Sequence, residues 1–138
     1  MIEFISHSES ETTDFAKSFA DQLKCGDILA LYGDLGTGKT VFSKGIINAL
    51  THKNTDVPSP TFTLVQSYDT PTCPIYHFDF YRLKTPEEAF EIGIEDYFND
   101  GISLIEWPEK IGYLLPKKAI KIELSIQNDT HVIRVYND

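Results

Sequence analysis

Gly33-Asp34-Leu35-Gly36-Thr37-Gly38-Lys39-Thr40 fits the pattern G-x-x-x-x-G-K-[ST] without a gap, and its flanks decide the fold. Just before it, Ile28-Leu29-Ala30-Leu31-Tyr32 is wholly apolar, as a strand covered on both faces is. Just after it, Phe42, Ile46, Ala49 and Leu50 fall on one side of a helix over about Lys39 to Leu50. Strand, glycine loop and helix in that order build an anion site. The glycines let the backbone turn through conformations closed to residues with a Cβ, so that successive amides converge on phosphate oxygens. The helix adds its positive end. Gly33, Gly36, Thr37 and Gly38 then form the cradle, Lys39 reaches the outer phosphates, and the Thr40 hydroxyl ligates Mg²⁺.

Outward from this loop the chain alternates short elements. Ile2 to Ser6 reads as a first strand, and Thr12, Phe15, Ala16, Phe19, Ala20 and Leu23 recur at helical spacing before a stop at Gly26. His52 to Pro60 is polar and closes on two prolines, so it reads as a loop. Phe62 to Tyr68 and Ile75 to Asp79 form a hairpin around Asp69-Thr70-Pro71-Thr72, and Thr85-Pro86-Glu87-Glu88 starts a short helix. Ile102 to Glu106 is another apolar strand. Ala119 to Ile126 and His131 to Tyr136 make a second hairpin. With no internal repeat or linker, residues 1–138 read as a single α/β domain: a P-loop NTPase fold, in which a mixed, largely parallel sheet flanked by antiparallel strands forms the middle of a three-layer sandwich.

Composition narrows the function. The 12 Lys plus Arg against 21 Asp plus Glu leave a net charge of −9, which opposes unaided binding to a phosphate backbone, so no direct DNA binding is expected and any contact with nucleic acid runs through a partner. The longest apolar run, Ile28 to Tyr32, falls far short of the ~18 residues of a membrane span, and Met1-Ile2-Glu3-Phe4 lacks the features of an export signal; the expected location is cytoplasmic. Cys25 and Cys73 form no C-x-x-C and read as two reduced thiols, and four scattered histidines make no metal cluster. Only Arg82 and Arg134 are arginines, too few for the lid of a nucleoside kinase. No Asn-Lys-x-Asp base reader follows the loop, so ATP is favoured over GTP.

Magnesium on a triphosphate also calls for a carboxylate, and nucleotides sit beyond the carboxyl ends of parallel strands. Two strands end in an acid, Ile75-Tyr76-His77-Phe78-Asp79 and Ile102-Ser103-Leu104-Ile105-Glu106. One acid holds the metal while the other orients water or a second ligand; the plainer alternative is that Asp79 turns the chain and Glu106 caps the helix after Pro108. Ser59-Pro60-Thr61-Phe62-Thr63 sits where such proteins place a nucleotide-sensing switch, with Thr61 offering a hydroxyl to the γ-phosphate or metal. Arg82 either answers phosphate charge or pairs with Glu87 or Glu88.

The phosphate loop, Ser59-Pro60-Thr61-Phe62-Thr63, His77-Phe78-Asp79-Phe80-Tyr81-Arg82-Leu83 and Ile105-Glu106-Trp107-Pro108 resemble, in order and spacing, the successive blocks of the TsaE family. The resemblance spans essentially the whole chain. It implies a bacterial Mg-dependent ATPase, weak alone, that supports the threonylcarbamoyladenosine modification of tRNA at position 37 together with TsaB and TsaD. It assigns the phosphate role to Gly36 through Thr40, the metal role to Thr40 and Glu106, and the nucleotide or water-orienting role to Asp79, with Lys39 and Asp79 the catalytic pair. It also places Thr12 and His131 near the base. The alternative is an ATP-dependent binding module in which hydrolysis is incidental.

Overall fold

The computed structural model describes residues 1–53, 57–58 and 64–136. Among them the chain forms a seven-stranded sheet from β1 (Ile2–Ser6), β2 (Ile28–Tyr32), β3 (Val65–Tyr68), β4 (Ile75–Asp79), β5 (Ile102–Glu106), β6 (Ile120–Gln127) and β7 (Thr130–Tyr136), in the order β1-β7-β6-β2-β5-β4-β3. β2 pairs parallel with β5 and with β6, and β4 pairs parallel with β5; the outer pairs β1–β7, β6–β7 and β3–β4 are antiparallel. The central strands therefore point their carboxyl ends to one edge of the sheet.

The helices are α1 (Glu9–Ala20), α2 (Lys39–Thr51), α3 (Pro86–Glu91) and α4 (Ile94–Asp100), with a 3-10 turn at Pro108–Leu114. Strand alternation sorts the core into two faces. Leu29, Leu31, Ile75, Ile102, Leu104 and Ile122 pack with Ala16, Phe19, Phe42 and Ile46 of α1 and α2. Ile28, Phe78 and Ile105, on the opposite face, pack with Ala89 of α3, Ile94 and Phe98 of α4, and Ile111. Rings at the first face are close: Phe42 lies 6.2 Å from Phe15 and 6.1 Å from Phe19.

Local chemistry explains the boundaries. Ser8 caps α1 by accepting from Glu11 N at 3.1 Å, and the Glu11 carboxylate accepts from His7 N at 2.8 Å. Thr85, Pro86 and Glu88 start α3, the Glu88 carboxylate accepting from Lys84 N and Thr85 N. α1 ends at Ala20, short of the Leu23 that the spacing suggests, because Gln22 and Leu23 continue it only as tighter turns to Phe19 and Ala20 carbonyls. α4 had no counterpart in the sequence reading: its apolar Ile94 and Phe98 are too few to declare a period. The β6–β7 hairpin turns on Asn128 and Asp129, both at positive φ, as a two-residue turn matched to strand twist requires.

Cys25 and Cys73 are not the two reduced thiols that their spacing suggests but are joined in a disulfide, with Cα atoms 6.2 Å apart. A separation of 48 residues hides their proximity, which arises because the α1–β2 turn and the β3–β4 turn meet at the same end of the sheet. Thr70 shapes the second turn, its hydroxyl accepting from Thr72 N and Cys73 N and donating to the Cys73 carbonyl. Cross-linking a loop of this length restricts the unfolded chain, so Cys73→Ser is expected to lower stability by about 3 kcal/mol under oxidising conditions. Urea unfolding with and without reductant checks this: the difference between variant and parent should vanish when both are reduced.

Candidate functional site

The carboxyl edge of β2, β4 and β5 opens on a cavity of about 660 Å³ lined by the glycine loop, the start of α1, the ends of β4 and β5, and the β6–β7 turn. Gly36 and Gly38 of the loop, and Lys39 and Thr40 at the head of α2, line it directly. Gly38 is the N-cap of α2 at φ 99°, a conformation that only glycine adopts without strain. Gly33 is fixed by space: a Cβ there would stand 2.6 Å from the Leu124 carbonyl oxygen and from Thr37 Oγ1. Gly33→Ala therefore has to push β6 or the loop aside, and the expected cost is about 1–3 kcal/mol, read as a lower denaturation midpoint.

The loop is held by its own side chains. Thr37 Oγ1 donates to the Asp34 carbonyl at 2.8 Å, and His131 Nδ1–H, from β7, donates to the Thr37 carbonyl at 3.0 Å. The ammonium of Lys39, a residue 5% exposed, donates to the Gly33 carbonyl and to the Asp34 carbonyl at 3.0 Å and lies 4.1 Å from the centroid of the Trp107 ring. Burial pushes this ammonium below the usual lysine range, while Glu106, Glu109, Asp79 and Asp34 act in the opposite sense. Trp107 sits at φ 60°, in the left-handed region, with Pro108 following. That bend turns its ring onto Lys39 and against Tyr81, 4.9 Å away.

The two strand-end acids meet as register dictates. Asp79 of β4 pairs with Glu106 of β5, and each is 3% exposed. Thr40 Oγ1 donates to Glu106, 3.1 Å from Oε1 and 3.3 Å from Oε2. Asp79 Oδ1 accepts from Tyr81 N at 2.9 Å, so Asp79 both turns the chain and faces the cavity. A hydroxyl and carboxylates make a hard-oxygen donor set of the kind magnesium takes, together with waters and phosphate oxygens. Among the described residues no three His, Cys, Asp or Glu side chains gather as an all-protein metal cage.

The fold thus brings Gly33, Gly36, Thr37, Gly38, Lys39, Thr40, Asp79 and Glu106 to one edge. Thr12 also lines the cavity, its hydroxyl 2.7 Å from Ser6 Oγ. His131 lines it while fastening the loop backbone. Arg82 lies on the wall, whereas Arg134 is committed elsewhere, tying β7 to β1 through Glu3 at 2.8 Å. Thr61 and its neighbours 59–63 lie outside the described residues. Sequence reasoning missed His77, which is fully buried and hydrogen-bonded to Glu106, and the seat of Lys39 on Trp107. The signal for His77 was present in the alternation Ile75-His77-Asp79, which places it on the face of Asp79.

A glycine loop between β2 and α2, with acids at the ends of two neighbouring parallel strands, defines a P-loop-like α/β protein. The sequence model described as threonylcarbamoyl adenosine biosynthesis protein TsaE matches residues 6–134. The chain belongs to the TsaE family, which takes part in tRNA threonylcarbamoyladenosine biosynthesis. It is 49% identical to the tRNA threonylcarbamoyladenosine biosynthesis protein TsaE of Rickettsia bellii (strain RML369-C) over 91% of this chain and 87% of that protein. The corresponding protein of Haemophilus influenzae is 42% identical over 88% of this chain and 80% of its own length. The crystal structure of Bacillus subtilis YdiB superposes with a TM-score of 0.81 at 32% identity, covering 97% of this chain and 83% of that one.

Proposed function

We propose that this chain is a Mg-dependent ATPase that supports the threonylcarbamoyladenosine modification of tRNA at position 37 in the cytoplasm, acting with TsaB and TsaD and meeting tRNA only through them. The observation that carries this reading is the contact of Thr40 Oγ1 with Glu106 at 3.1 Å, made in the first turn of the helix headed by the glycine loop and Lys39. Family membership gives the pathway, and the chemistry of the site supports the cofactor and reaction proposed.

The loop amides and the N-terminus of α2 receive the phosphates. Lys39, whose ammonium donates to the Gly33 and Asp34 carbonyls at the cavity wall, would supply the cation for the outer phosphates. Thr40 and Glu106 would hold the magnesium, which would supply charge neutralisation at the phosphate oxygens. Asp79 orients the attacking water, its position set by the bond from Tyr81 N. Thr12 and His131, which line the same cavity, are the contacts this reading offers to the nucleoside. With Lys39 and Arg82 as the lysine and arginine among the described residues of the cavity wall, the site has few positive groups to answer transition-state charge alone, so partners raise the rate.

Trp107 is the sole tryptophan and touches Lys39, so its fluorescence reports nucleotide entry. Titration with ATP should change that signal saturably, with tighter binding when Mg²⁺ is present. A signal indifferent to ATP, together with no binding by calorimetry, would refute the reading.

A further inference from the structure

His77 is fully buried in the middle of β4, between Ile75 and Asp79 on the face covered by α2. A ring with two polar nitrogens is an expensive occupant there unless it is used. Its Nε2 lies 2.5 Å from Oε2 of Glu106, itself 3% exposed. An ionised carboxylate only accepts, so Nε2–H donates to it. Parallel register sets His77 opposite Leu104, and the side chain therefore reaches Glu106 diagonally, from the core side, while Asp79 flanks Glu106 directly. Thr40 approaches the same carboxylate from α2.

We propose that His77 is a positioning residue for the metal site: it pins one oxygen of Glu106 from behind, so that the carboxylate meets Thr40 and the magnesium in a single orientation. The inference rests on the Mg-nucleotide reading above. Without the pin, the terminal torsion of Glu106 is held by the Thr40 hydroxyl with no second side-chain donor behind it, and a buried oxygen has one donor fewer. A carboxylate so loosened binds metal less well, as outer partners of metal ligands generally tune affinity by about 10–100-fold. Binding of the phosphates themselves, which rests on the loop amides and Lys39, does not pass through His77.

The test uses the full chain and two readouts: Mn²⁺ binding in the presence of ATP, followed by loss of the free-ion electron paramagnetic resonance signal, and ATP binding in EDTA, followed by Trp107 fluorescence. His77→Leu fits the apolar face but donates nothing, and His77→Asn is polar but too short to reach Glu106; each should weaken Mn²⁺ binding about 10–100-fold. His77→Gln extends an amide donor toward the Nε2 position and should recover most of that loss. ATP affinity in EDTA should stay within about twofold of the parent in all three. Parent-like Mn²⁺ affinity in His77→Leu or His77→Asn would overturn the proposal. So would equal loss in all three variants accompanied by a parallel loss of metal-free ATP affinity, the mark of a packing role. A parent chain that binds ATP but recruits no Mn²⁺ to it would instead sink the magnesium reading, and this inference with it.

Discussion

Lys39→Ala is expected to lower phosphate release from Mg-ATP on the order of 10³-fold, because on the proposed function the variant loses the side-chain cation assigned to the outer phosphates. The size of the effect follows from the surroundings. Lys39 is held at the cavity wall by two loop carbonyls and the Trp107 face, and Glu106, Asp79, Asp34 and Glu109 all bring negative charge toward it. Removing the ammonium leaves a site whose near charges repel a triphosphate. The fold should survive, since the buried apolar stem contributes little compared with Phe42 and Ile46 on the same helix. Thermal unfolding close to the parent, combined with the loss of turnover, distinguishes this outcome from collapse of the loop.

Glu106→Gln is the second large effect. Glutamine fills the same space and still accepts from the Thr40 hydroxyl, but it brings no negative charge to a divalent ion. The magnesium concentration giving half-maximal phosphate release should rise by about 10–100-fold, and saturating magnesium should restore part of the rate. A magnesium titration of initial rates for parent and variant checks this. An unchanged midpoint would assign Glu106 to the structure of the strand end and would leave Asp79, its neighbour in the β4–β5 register, as the metal's carboxylate.

The glycine loop was legible because it is contiguous: eight residues contain the turn, the amides, the cation and the hydroxyl. Asp79 and Glu106 were legible because each ends an apolar strand, and parallel order alone sends both ends to one edge. His77 was overlooked because its partner lies 29 residues on, in another strand, and only the β4–β5 register brings them together. The Cys25–Cys73 bond was misread for the same reason, since it depends on where two turns meet. α4 was missed through brevity, its seven residues offering two buried contacts. Trp107 is visible in the sequence beside Glu106, but its left-handed backbone, which aims the ring at Lys39, has no local sequence mark beyond the following Pro108.

The central claim, that this edge of the sheet hydrolyses Mg-ATP for the tRNA modification, is tested most directly by phosphate release measured for the chain alone and with the TsaB–TsaD pair, with Lys39→Ala as the blank and EDTA as the metal control. The account predicts slow, magnesium-dependent release by the chain, marked stimulation by the pair, and neither in the blank. Phosphate release undiminished in Lys39→Ala would contradict the assignment of the site. ATP bound without any hydrolysis, while the pair still completes repeated modification cycles, would contradict the ATPase claim and leave a nucleotide-dependent binding module.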